Sequence, residues 1–149
     1  MVKPFSVQID RIRYEVPAIS SDEIKQHIEK NLRPEWTRNA GGNEKELEQN
    51  ERVLDAMNRA DWLLEIIPLG SAFLDPRDLN RPAFAKDVAE RTAYQSHKLD
   101  EGIPIEPIIA VCTHVYDVCD GFHRVLALKA KGEMFVLAYV GRSTYLSLL

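Results

Sequence analysis

Within one stretch, DVCDGFHRVLALKAKG (117–132), Gly121, His123 and Arg124 could hold an anion, with the carboxylate of Asp120 beside them. An apolar run ends at Asp120-Gly121, and a helix pattern begins at once with His123 and Arg124 in its first turn. A helix N-terminus already carries partial positive charge, so cationic side chains usually gather at the other end. Placing two of them here makes sense if an anion sits between them and the helix. First-turn N–H groups have no intrahelical partner and converge on one point. Gly121 lets the chain turn sharply and lets a ligand approach the backbone. Arg124 offers a planar fork of donors suited to phosphate oxygens. Asp120 could cap the helix, accept a proton, or hold a magnesium ion. The same residues also fit a plain structural turn, with Asp120 as N-cap and Arg124 paired to Asp120 or Glu133. Local physics leaves both readings open.

The elements that must position this turn follow from periodicity and punctuation. FSVQIDRIRYEV reads as a strand or strand pair ended by Pro17. SSDEIKQHIEKNL opens with Ser20 and Glu23 at capping-box spacing and sets Ile24, His27, Ile28 and Leu32 on one helical face. RPEWTRNAGGN reads as a break containing Pro34 and Gly41-Gly42, and EKELEQNERVLDAMNRADWL as a charged helix. LLEIIPL is a short strand, GSAFLDPRDLNRP a loop, and AFAKDVAERTAYQSHKL a helix whose buried stripe is Phe84, Val88, Ala89, Thr92 and Leu99. IPIEPIIAVC and VYDVC are strands joined by a tight hairpin, the first almost wholly apolar and therefore central. GFHRVLALKAKG is a helix, MFVLAYVG a further strand and RSTYLSLL a short tail. The expected class is α/β (α+β mixed), a small mixed β-sheet with packed helices. One domain over 1–149 is expected, with an N-terminal helical extension over 1–60 and a core over 62–141.

A formal charge of -4 and a pI near 5.6 speak against coating nucleic acid by bulk electrostatics. No apolar run is long enough for a bilayer, and MVKPFSVQIDRIRYEV lacks a signal-peptide core, so a cytoplasmic protein with no membrane partner is expected. Cys112 and Cys119 fall at different depths of the hairpin, which disfavours a disulfide, and with His114 and His123 they match no common zinc spacing. His27 and His97 read as surface residues. Trp36 reads as a lid on the core or a partner contact.

DGFHRVLAL carries Gly-x-x-Arg-x-x-Ala in Gly121, Arg124 and Ala127, and upstream EGIPIEPIIAV sets Gly102 before Pro107-Ile108 and a strand. These boxes, and the order of elements around them, resemble the ParB/sulfiredoxin superfamily. The turn is most similar to its free serine kinase branch, which shows Asp-Gly-His-His-Arg. The resemblance implies a nucleoside triphosphate, ATP or CTP, with its phosphates held by Gly121, Phe122, His123 and Arg124. It implies Mg²⁺ at Asp120, catalytic roles for Asp120 and His123, and a phosphate contact from Arg81, with Lys86 and Thr92 as weaker candidates in the same helix region. Glu65 and Asp75 are the candidates for a general base, because that region lies beside the turn in this fold. Phe122 stands where sulfiredoxins carry their nucleophilic cysteine, so sulfinic acid reduction is not implied. Partition proteins continue into DNA-binding and dimerisation domains, whereas this chain ends at Leu149, so centromere binding is not implied either. The expected function is nucleotide binding, with hydrolysis or phosphoryl transfer to a small hydroxyl acceptor. The rival is a non-catalytic module of plasmid, phage or toxin context that binds nucleic acid or protein. The oligomeric state is not indicated.

Overall fold

The N-terminal residues form a β-hairpin, β1 (Phe5–Ile9) and β2 (Ile12–Val16), turned at Asp10 with φ 54°. The structure, a computed structural model, describes residues 4–17, 20–75 and 82–143, and the side chains of 82–86 lie outside that description. Ser20 caps α1 (Ser21–His27) by accepting the Glu23 N–H at 3.3 Å, as the capping-box spacing predicts. α1 runs on through a wider π-type turn, Ile28–Leu32, into α2 (Arg33–Ala40). The expected break at RPEWTRN is therefore helical and falls only at Gly41, where φ is 57°. Pro34 is tolerated because it sits in the first turn of α2, where its missing N–H costs the least. The wider turn also keeps Ile24, Ile28 and Leu32, each four residues apart, buried on one side.

α3 (Glu44–Asn58) is capped by the Asn43 side chain, and Trp62, read with that helix, belongs instead to β3 (Asp61–Pro68). β4 (Ala72–Phe73) is a short strand inside the expected loop. α4 (Pro82–Asp100) ends at Gly102, whose φ is 68°. Of its expected stripe, the Phe84 side chain lies outside the described residues, Val88, Thr92 and Leu99 are half-buried, and Ala89 is exposed. The physical reason is position: α4 packs along α5 (Phe122–Ala130) at the outside of the molecule. β5 (Ile108–Cys112), β6 (Tyr116–Asp120) and β7 (Phe135–Arg142) complete the strands.

Among the described residues these strands give one mixed five-stranded sheet in the order β3-β7-β5-β6-β4, beside the hairpin. β7 is antiparallel to β3 and parallel to β5, while β6 is antiparallel to β5 and parallel to β4. The fold is thus mixed α and β with a mixed sheet, as the pattern of elements predicts. β5 and β7 are buried on both faces, which is why IIAV and VLAYV read as unbroken apolar runs. One hydrophobic cluster joins Tyr14, Ile28, Leu32 and Met57 of the N-terminal elements to Ile108, Leu128 and Val140. Among the described residues no helix is long and apolar enough to cross a membrane. The expected tail beyond Ser143 and the 76–81 segment, with Arg81, lie outside the described residues.

Candidate functional site

The strand-to-helix turn is sharp because Gly121 adopts φ 107°, a left-handed conformation that side chains disfavour. A Cβ at this position would lie 2.4 Å from Ile108 Cγ2, so the turn rests directly on the central strand. α5 then begins with no side-chain cap and no acidic residue in its first turn. Its first residues, Phe122, His123 and Arg124, line a cleft of about 770 Å³, within the range of small-molecule sites. The cleft runs between the turn, the β5–β6 hairpin, α4, and the N-terminal helices α2 and α3. The N-terminal extension therefore supplies one of its walls.

Arg124 is held from behind. Its Nη1 donates to the carbonyl oxygens of Glu106 at 2.8 Å and Pro107 at 2.9 Å, and Nη2 lies 3.8 Å from Asp120 Oδ1. It pairs with Asp120 and not with Glu133, which takes Arg11 instead. Arg124 still lines the cleft, with part of its fork committed to the backbone.

His27, expected as a surface residue, is part of this site. Its Nε2 donates to Asp120 Oδ2 at 2.9 Å, and its Nδ1 meets Asn31 Nδ2 at 2.8 Å. The expectation missed this because His27 is only half-buried and its partner lies far along the chain. Its place beside Ile24, Ile28 and Leu32 was the available signal, since that face of the helix turns inward. The bond to Asp120 raises the His27 pKa, with burial opposing. For Asp120, burial pushes the pKa up most strongly of any single influence. The His27 bond and the nearby Arg124 charge together outweigh it and hold the carboxyl below its ordinary value.

This pair fixes a pH dependence of stability. His27 is raised above 6.5, so its contribution is complete below that value and lost as pH rises through the raised folded pKa. Asp120 is depressed below 3.8, so its contribution is present above that value and lost as pH falls through the folded pKa. Wild type is expected to exceed His27→Gln in unfolding free energy near pH 5, with the advantage vanishing in alkali. Both side chains are about one-third exposed, so solvent screening limits the effect to about 1 kcal/mol. Urea unfolding of both proteins from pH 4 to 9 checks it.

Phe122 and His123 both line the cleft, their rings edge to face at 5.6 Å. Burial, with the charges of Arg91 and Arg124 adding to it, lowers the His123 pKa and favours the neutral imidazole. Trp36 packs partly against the core and lines the cleft, which fits the lid reading. Of the expected bases, Asp75 faces the cleft, whereas Glu65 is ion-paired to Arg142 with Nη2–Oε1 at 2.9 Å and is not in its lining. Cross-strand pairing of β3 with β7 carries Glu65 to the far edge of the sheet. Asp117 was not foreseen. It lines the cleft, accepts the Thr113 hydroxyl at 2.9 Å, and has a pKa raised by burial and by the Asp75 charge. Cys112 and Cys119 are free thiols, and burial pushes Cys119 upward, away from the thiolate. Thr92 is half-buried, His97 is exposed, and the Lys86 side chain lies outside the described residues.

A magnesium ion does not fit Asp120 as arranged. One carboxylate oxygen is taken by His27 and the other faces Arg124. Among the described residues no group of three His, Cys, Asp or Glu side chains could hold a metal. A phosphate suits the turn better, because a glycine-led helix start and the Arg124 guanidinium line the cleft together. Comparison with protein families, with characterised proteins and with solved structures finds no match for the chain.

Proposed function

We propose that the cleft binds a nucleoside triphosphate, ATP or CTP, at a turn of the ParB/sulfiredoxin kind. The carrying observation is the glycine-led start of α5 and the Arg124 guanidinium together lining a cleft of nucleotide size. Phosphates would lie on the N–H groups of Phe122, His123 and Arg124, with Arg91 and the remaining Arg124 donors beside them. Trp36, Phe73, Tyr94 and Phe122 line the same cleft and offer faces for a base to stack on. Gln95 also lines it and offers a polar side chain beside those rings. The walls carry Glu35, Glu46, Asp75 and Asp117, not the basic track that a nucleic-acid backbone requires. A hydroxyl acceptor entering the cleft would meet Asp117 as its general base, since a raised carboxyl pKa suits proton abstraction.

Calorimetric titration with ATP and CTP tests this. Tyr94 is 59% exposed, so Tyr94→Ala removes a stacking face without touching the core. Loss of stacking is expected to weaken binding about tenfold. Failure of both nucleotides to bind at millimolar concentration would contradict the proposal.

A further inference from the structure

We infer that His27 takes the place of a divalent metal at Asp120, so that the cleft binds its nucleotide without Mg²⁺. This rests on the nucleotide reading above and adds the ionic state of the site and a contributor from outside the turn.

Four observations carry it. The Nε2–Oδ2 contact of 2.9 Å occupies the carboxylate oxygen that points toward α1. Arg124 Nη2 stands 3.8 Å from the other oxygen, and its partner nitrogen is fixed by the carbonyls of Glu106 and Pro107. An incoming divalent ion would meet a guanidinium and an imidazole in place of free oxygen ligands, and Mg²⁺ requires oxygen ligands in near-octahedral array. His27 is also held from its other side. Asn31 holds its second nitrogen at 2.8 Å, and an amide can present either its NH₂ or its oxygen, so it serves the neutral and the protonated ring alike. The helix carrying both residues is anchored by Ile24, Ile28 and Leu32, which are 2%, 0% and 1% exposed. The phosphate charge then falls to the α5 N–H groups, to Arg124 and to Arg91, all of which line the cleft.

The test has a nucleotide arm and a metal arm. In the first, ATP is titrated into the full chain in MgCl₂ and again in EDTA. The two affinities should agree within about threefold for the wild type. His27→Ala, which uncovers one Asp120 oxygen, should become Mg²⁺-responsive by about tenfold. His27→Gln, which can keep a donor to Asp120, should remain Mg²⁺-independent. Wild-type binding strengthened tenfold or more by Mg²⁺ would overturn the inference and leave the nucleotide reading standing. In the second arm, Mn²⁺ is added to the ¹⁵N-labelled protein without nucleotide. The Asp120 and Gly121 amide signals should keep their widths in the wild type and broaden in His27→Ala. Selective broadening in the wild type would overturn the inference whether or not ATP binds. If ATP binds in neither buffer the nucleotide reading fails, and the metal arm still decides what occupies Asp120.

Discussion

Gly121→Ala is expected to lower the unfolding free energy by about 3 kcal/mol and to abolish binding at the α5 turn. Two independent costs add. The backbone sits at φ 107°, where an L side chain is strained by about 1–3 kcal/mol. The new methyl would also lie 2.4 Å from Ile108 Cγ2, 2.8 Å from Ile108 Cβ and 3.2 Å from Arg124 Nη2. Ile108 is fully buried in β5, which is paired on both sides, so it has nowhere to go. Gly102→Ala is the control, since its φ is also positive at 68° but nothing lies within 4 Å of the added Cβ. It should cost about 1 kcal/mol. Urea unfolding of the two variants separates the terms, and equal losses would show that the Ile108 contact does not carry the difference.

Arg124→Ala should destabilise by about 2–4 kcal/mol, because charge-assisted hydrogen bonds of this kind contribute about 1.5–3 kcal/mol each and are not additive. The guanidinium is 15% exposed and ties α5 to the entry of β5 through two backbone carbonyls. Without it those carbonyls lose their donor and Asp120 loses a cation. Arg124→Lys should recover part of the stability, since one ammonium can reach a carbonyl but lacks the fork that spans to Asp120. Thermal unfolding of the three proteins measures this, and Arg124→Ala is expected to melt roughly 10 °C below wild type. An unchanged Tm would show that the carbonyl contacts contribute nothing net. The result bears on function too: Arg124 is a structural tie before it is a phosphate donor, so loss of binding in Arg124→Ala alone would be ambiguous.

How far the sequence leads depends on whether the information is local. The Asp120–Arg124 turn was legible because strand, glycine and helix follow one another, and each announces itself by period or punctuation. The β5 and β7 strands were legible because burial on both faces leaves an unbroken apolar run. What stayed hidden depends on distant pairing. β4 is two residues long and exists only through its parallel pairing with β6. Pro34 looked like a helix breaker because the π-type turn before it has no propensity signature. His27 and Asp120 are 93 residues apart, so only the fold could bring them together. Asp117 alternates with its neighbours like any strand residue, and its place in the cleft follows from the β4–β6 pairing that also brings up Asp75.

The most direct measurement is ATP titration of the ¹⁵N-labelled protein followed by amide chemical shifts. Saturable shifts should centre on Phe122, His123 and Arg124 and extend to Tyr94 and Gln95 across the cleft. Shifts that never saturate, or that leave the start of α5 unmoved while other surfaces respond, would contradict a nucleotide site at this turn.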